Sequence, residues 1–139
     1  MSKLIEMIKE HEGVVKHAYQ DSRGYWTIGV GRLIDENLGG GLSDGEIDYL
    51  LANDVKRCRE EAEQYPWFES MNEPRQAVIL SMLFNLGRPN FEKFQRFQSA
   101  LSEGDFITAS NEMLDSRWAK QVGRRATEMS EMMETGEWL

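Results

Sequence analysis

The chain has 139 residues, of which 40% are apolar and 29% charged, with 24 acidic side chains against 16 basic ones and a formal net charge of -8. That length supports one domain with its own core, and the balance is that of an ordinary globular chain. No apolar run approaches the ~20 residues of a membrane span. Glu6 and Glu10 interrupt the stretch where a secretion signal would need to be apolar, and Cys58, the lone cysteine, excludes an internal disulfide.

Leu4, Ile5, Met7 and Ile8 predict a short amphipathic helix ending at Glu12, with Ser2 as its N-cap and Gly13 as its stop. Residues 14–19 read as a strand, Asp21-Ser22-Arg23-Gly24 as a turn, and residues 25–30 as the partner strand, rich in aromatic and β-branched side chains. Residues 35–41 form a loop ending in Gly39-Gly40-Gly41. Without the Lys-Ser/Thr of a phosphate loop, these glycines are no nucleotide site. Ser43-Asp44-Gly45-Glu46 is a capping box opening a long helix whose apolar face is Ile47, Leu50, Leu51 and Val55, stopped by Pro66. Densely charged between residues 54 and 63, it is the kind of helix that bridges two lobes. Residues 76–86 are apolar nearly all round, which predicts a buried central helix. Shorter amphipathic helices follow at 94–101, 105–114 and 124–134.

The acidity is local. Residues 35–73 hold eleven acidic side chains and three basic ones (Lys56, Arg57, Arg59), whereas the rest of the chain is balanced. With no long basic stripe, nucleic acid is not expected as a partner. Arg117, Lys120, Arg124 and Arg125 form a local cationic cluster, which is either a surface bordering a site or a solvated helix face. His11 and His17 lack a companion ligand set, so no metal is expected. The eight methionines, Met129, Met132 and Met133 among them, read as core filler.

Chemistry concentrates near the N-terminus. Glu12 stands at a helix end, Asp21 in a turn and Thr27 on a strand, within Gly24-Tyr25-Trp26-Thr27-Ile28-Gly29-Val30-Gly31. Two carboxylates and a hydroxyl so disposed can supply a general acid and an activated water, the equipment for cleaving a glycosidic bond. The acid must be kept protonated; the helix C-terminus disfavours negative charge there, and Tyr25 or Trp26 could desolvate it. Taken singly, each residue has a plainer reading. Glu12 is then a solvated helix-end glutamate, Asp21 a turn residue capping its own backbone, and Thr27 a β-branched strand residue.

The spacing of Glu12, Asp21 and Thr27, with the glycine-aromatic run around them, resembles the phage-type lysozymes, the endolysins best known from T-even bacteriophages (glycoside hydrolase family 24). The likeness continues through Asn53-Asp54-Val55, Leu83-Phe84-Asn85-Leu86-Gly87, Ser116-Arg117-Trp118, Arg125-Ala126 and Thr135-Gly136-Glu137-Trp138, and so spans nearly the whole chain. Three features depart from the pattern. Only nine residues separate Leu33 from Ser43, Arg32 stands where those relatives have a histidine, and the charge balance is acidic rather than basic.

The resemblance implies a mainly helical α+β fold, a single two-lobed domain over residues 1–139. Residues 13–42 would form a small hairpin lobe, 43–65 the linking helix, and 1–12 with 66–139 a helical lobe. It implies hydrolysis, with inversion, of the β-1,4 bond between N-acetylmuramic acid and N-acetylglucosamine in peptidoglycan. Glu12 would be the acid, Asp21 would hold the water or stabilise positive charge developing on the sugar, Thr27 would help position the water, and no cofactor would be needed. Leu33, Phe84, Asn85 and Arg125 would bind substrate, with Phe84 partly in the core and Arg125 able to pair with Glu12. Trp118 and Trp138 would be structural, and Arg32 would form an ion pair with Asp54. The expected setting is host cell lysis: a monomer without stable membrane insertion, held in the host cytoplasm until a separate holin-type pore admits it to the periplasm. The rivals are a lytic transglycosylase, which needs the acid but no activated water, and a non-catalytic peptidoglycan-binding domain.

Overall fold

The computed structural model describes residues 2–34 and 41–139. Most of the expected glycine loop, residues 35–40, lies outside the described residues. The described residues hold eight helices and one three-stranded antiparallel sheet, the α+β, mainly helical class expected. They gather into two compact units, Met1–Tyr49 and Leu50–Leu139.

The first unit opens with α1 (Ser2–Glu12). Gly13 stops it. The Gly13 N–H donates to the Lys9 carbonyl at 2.8 Å. Its φ of 79° lies in the left-handed region, which a side chain would oppose. β1 (Val15–Gln20) and β2 (Trp26–Gly29) form the expected hairpin, with Tyr19 opposite Thr27 and Gln20 opposite Trp26. A third strand, β3 (Arg32–Leu33), pairs Thr27 with Leu33 and Ile28 with Arg32. Two residues carry no periodicity, so the sequence does not announce it. Gly29 and Gly31, at φ of 70° and 62°, turn the chain back on itself to make it. Such angles are open to glycine and strained for other residues.

The capping box forms as its residues predict. The Glu46 N–H donates to Ser43 Oγ at 3.2 Å, and the Ser43 N–H donates to Glu46 Oε1 at 2.8 Å. The Ser43 N–H, with the Ser43 hydroxyl beside it, holds the Glu46 carboxyl below its ordinary range. The helix that follows, α2 (Asp44–Ala62), leaves Ile47, Leu50, Leu51 and Val55 exposed and buries only Cys58 and Ala62. Two small residues near its C-terminal end, rather than the branched face proposed for it, let it approach the core closely. Burial pushes the Cys58 thiol up, which fits a packing residue and not a reactive one.

Arg32 and Asp54, expected to pair, stand in different units, and each has a partner within its own. The Arg32 guanidinium lies 3.6 Å from Glu46 and donates to the Gly41 carbonyl, while Asp54 takes Arg57 at 3.0 Å.

In the second unit α3 (Glu73–Leu86) starts at Asn72, whose side chain accepts from the Arg75 N–H. Pro74 sits in its first turn, where proline lacks only a donor that would be orphaned. Short α4 (Arg88–Phe91) follows, then α5 (Gln95–Ser102), α6 (Phe106–Leu114), α7 (Arg117–Val122) and α8 (Arg124–Thr135). α6 packs on α5 and α8, and α3 and α7 also lie on α8. Phe68, Ile79, Met82, Leu83, Phe91, Phe97, Met113, Trp118 and Met133 fill the space between them. Phe91 and Phe97 meet edge to face at 6.1 Å, a favoured aromatic arrangement. Of the methionines read as core filler, Met71, Met82, Met113, Met129 and Met133 are buried and Met132 packs against the core, whereas Met7 on α1 is exposed. Trp118 is buried, whereas Trp138, expected to be structural, is exposed.

Arg75 closes the end of α8. Its Nε donates to the Met133 carbonyl at 2.8 Å, a terminal nitrogen donates to the Glu134 carbonyl at 2.9 Å, and the guanidinium sits 3.7 Å above the Phe106 ring. Those carbonyls have no partner within the helix itself. Lysine cannot reproduce two directed bonds and a stacked plane. Arg75→Lys is therefore expected to cost ~1.5–3 kcal/mol, the range for hydrogen bonds to a charged group. Urea unfolding measures it, and a loss below ~0.5 kcal/mol, within the spread of ordinary surface changes, would refute the assignment.

Candidate active site

Glu12, Asp21, Thr27 and Leu33 all belong to the first unit. Glu12, the last residue of α1, is exposed, and its carboxylate is seated on the turn between β2 and β3. A Cβ placed on Gly31 would lie 2.5 Å from Glu12 Oε2 and 3.0 Å from its Cδ. The third strand, by folding Gly31 back, gives the carboxylate its seat.

Asp21 is half-buried at the head of its turn. Its backbone N–H donates to the Tyr25 carbonyl at 2.8 Å, and its carbonyl accepts from Gly24 at 2.9 Å. Its Oδ1 accepts the N–H groups of Arg23 and Tyr25, both at 2.9 Å. The turn-capping role read from the sequence is thus present. Both bonds fall on one oxygen, and among the described residues Oδ2 accepts none. That oxygen is available to a water or a substrate hydroxyl.

Thr27 is buried at 2% exposure, in the middle strand between Tyr19 and Leu33. Cross-strand partners share a face, so these three side chains line one side of the sheet. Thr27 Oγ1 donates to the Tyr25 carbonyl at 3.0 Å. A hydroxyl has one hydrogen to give, so with that donor spent it can only accept. Tyr25 and Trp26 line an open pocket of about 310 Å³ with Gly24 and Ile34.

The remaining substrate-binding positions belong to the second unit. Phe84 is 48% exposed on α3 and makes no part of the buried core, contrary to its expected half-core role. Asn85 Oδ1 accepts the Trp118 indole N–H at 2.9 Å, so it satisfies a buried ring. Arg125 is exposed in the first turn of α8. The cationic cluster near it is partly neutralised, since Arg124 pairs with Glu128 at 3.0 Å. Arg117 lines a pocket of about 380 Å³ together with Lys93, Arg96, Glu112 and Asp115. Sequence reasoning missed this mixed-charge pocket, whose residues come from three separate helices and the segments between them. It also missed Gly31, which has no side chain to advertise a role.

Comparison with known proteins gives the family. The family model described as phage lysozyme matches residues 9–132. A probable T4-type lysozyme of Dictyostelium discoideum is 24% identical, over 98% of this chain and 96% of that protein. The endolysin of Acyrthosiphon pisum secondary endosymbiont phage 1 is 27% identical, over 86% of this chain and 80% of its own. The pre-baseplate central spike protein Gp5 of Enterobacteria phage T4 is 25% identical over 96% of this chain, which corresponds to 28% of the spike protein. With the family match spanning both units and the carboxylate-bearing hairpin intact, the chain belongs to the phage lysozyme family of glycoside hydrolases.

Proposed function

We propose that this chain hydrolyses the β-1,4 bond between N-acetylmuramic acid and N-acetylglucosamine in peptidoglycan, with inversion at the anomeric carbon. Glu12 donates its proton to the leaving glycosidic oxygen. A water on the opposite face of the sugar gives hydrogen bonds to Asp21 Oδ2 and Thr27 Oγ1, attacks the anomeric carbon as the bond breaks, and gives up a proton to the Asp21 carboxylate. The observation that supports this reading is the hydrogen-bonding state of that pair. Among the described residues Oδ2 accepts nothing, and the Thr27 hydroxyl has already given its hydrogen to the Tyr25 carbonyl. A water has two hydrogens to give, and two acceptors stand ready for them. A transglycosylase would have no use for such a pair.

Leu33, Phe84 and Arg125 are proposed to contact the glycan, and Asn85 to act through Trp118. The chain is taken as one lysozyme domain, with a hairpin lobe over 13–42, a linking helix over 43–65 and a helical lobe from 1–12 and 66–139. No helix among the described residues is long and apolar enough to cross a membrane. Host cell lysis, by a monomer released from the cytoplasm through a separate pore, is the role proposed for it; the endolysin relative supports that setting.

Stereochemistry tests the mechanism directly. Proton NMR of the reaction on a soluble β-linked muropeptide oligomer is expected to show the α-anomer first, with the β-anomer growing in by mutarotation. A first-formed β-anomer, or a 1,6-anhydro end, would rule the proposed water attack out.

A further inference from the structure

We infer that Gly31 is a positioning residue for Glu12: the missing side chain at position 31 is what allows the carboxylate to occupy its seat. The inference rests on the reading of Glu12 as the acid.

Four glycines in the first unit, Gly13, Gly24, Gly29 and Gly31, have left-handed backbones with φ of 79°, 83°, 70° and 62°. At the first three a Cβ would meet nothing within 4 Å. Backbone conformation alone accounts for glycine there. Gly31 differs. A Cβ at this position would lie 2.5 Å from Glu12 Oε2, 3.0 Å from Cδ and 3.2 Å from Cβ. Turning the carboxylate about its last bond moves Oε2 but leaves Cδ and Cβ tight against the added carbon. The α1 backbone at this point is held by the Gly13-to-Lys9 bond. The glutamate side chain must therefore shift away from position 31. A displacement of about 1 Å in a reacting group can cost a hundredfold in rate.

Gly29 supplies the control. It lies two residues away in the same turn, with φ of 70° against 62°, and has open space beside it. Alanine imposes the same kind of backbone penalty at both positions, whereas the collision with Glu12 occurs at only one. Gly31→Ala is expected to lower kcat about 100-fold with KM within about threefold of the parent. Gly29→Ala should keep kcat within about threefold at a matched loss of Tm. Gly31→Asn, a residue that tolerates the left-handed region but still carries a Cβ, guards against failure to fold and should lose kcat as well. Rates are read on a soluble peptidoglycan oligomer, with Tm by circular dichroism. Equal kcat losses at positions 29 and 31, or near-parent kcat in Gly31→Asn, would overturn the inference. Glu12→Gln runs beside them: if it stays active, the assignment of the acid has failed. If it is dead while Gly31→Asn is active, only the positioning role has.

Discussion

Replacing Glu12 by glutamine is expected to lower kcat by at least ~10²–10⁴-fold while leaving the thermal transition within about a degree of the parent. Glutamine keeps the length and shape of the side chain and fits the same seat against Gly31, but it cannot transfer a proton. Glu12 is exposed and takes part in none of the ion pairs among the described residues, so its replacement breaks no such contact. The loss should therefore fall on catalysis alone. Turbidity of permeabilised Gram-negative cells gives the rate on walls, and a soluble oligomer gives kcat and KM separately. A Glu12→Gln protein clearing walls at near parental rate would remove the general acid from the mechanism, and with it the proposed reaction.

Features that depend on periodicity or on local turn chemistry are legible in the sequence. The apolar run of α3 reads as a buried helix, and the core does bury Val78, Ile79, Met82 and Leu83. The capping box at Ser43 and Glu46 closes within four residues, so its signal and its geometry coincide. The hairpin with its carboxylate in the turn is visible for the same reason. What escapes depends on contacts distant in sequence, or on the absence of a side chain. β3 exists through the two left-handed glycines at 29 and 31, and a strand of two residues has no pattern. Arg75 serves the end of α8, 58 residues further on, and nothing near it in the sequence points there. Asn85 looks like a ligand-binding polar residue on an apolar helix until Trp118 supplies its donor. Analogy gives Arg32 a partner 22 residues on, and the analogy carries no sign of the carboxylate beside it within its own unit, Glu46.

Asp21 is where the structural and the chemical reading of one residue can be separated by experiment. Its Oδ1 holds the turn by accepting the N–H groups of Arg23 and Tyr25, and its Oδ2 is the proposed partner of the water. Asparagine keeps an oxygen that can take the place of Oδ1, and it caps such turns as readily as aspartate does. Its nitrogen, however, replaces an acceptor with a donor, and a donor cannot take a hydrogen from water. Asp21→Asn is therefore expected to keep the stability of the parent and to lose ~10²–10⁴-fold in kcat, as befits loss of the group that activates the nucleophile. Alanine removes both functions. Asp21→Ala should match the loss of activity and in addition cost ~1–3 kcal/mol, from two turn amides deprived of their acceptor. Urea unfolding and oligomer kinetics on the same two variants give all four numbers. Were Asp21 only a turn residue, the order would reverse: asparagine would be nearly silent in both measurements, and alanine would lose activity only as far as it loses stability. An asparagine variant that is stable yet inactive has no explanation in turn capping and requires the free oxygen.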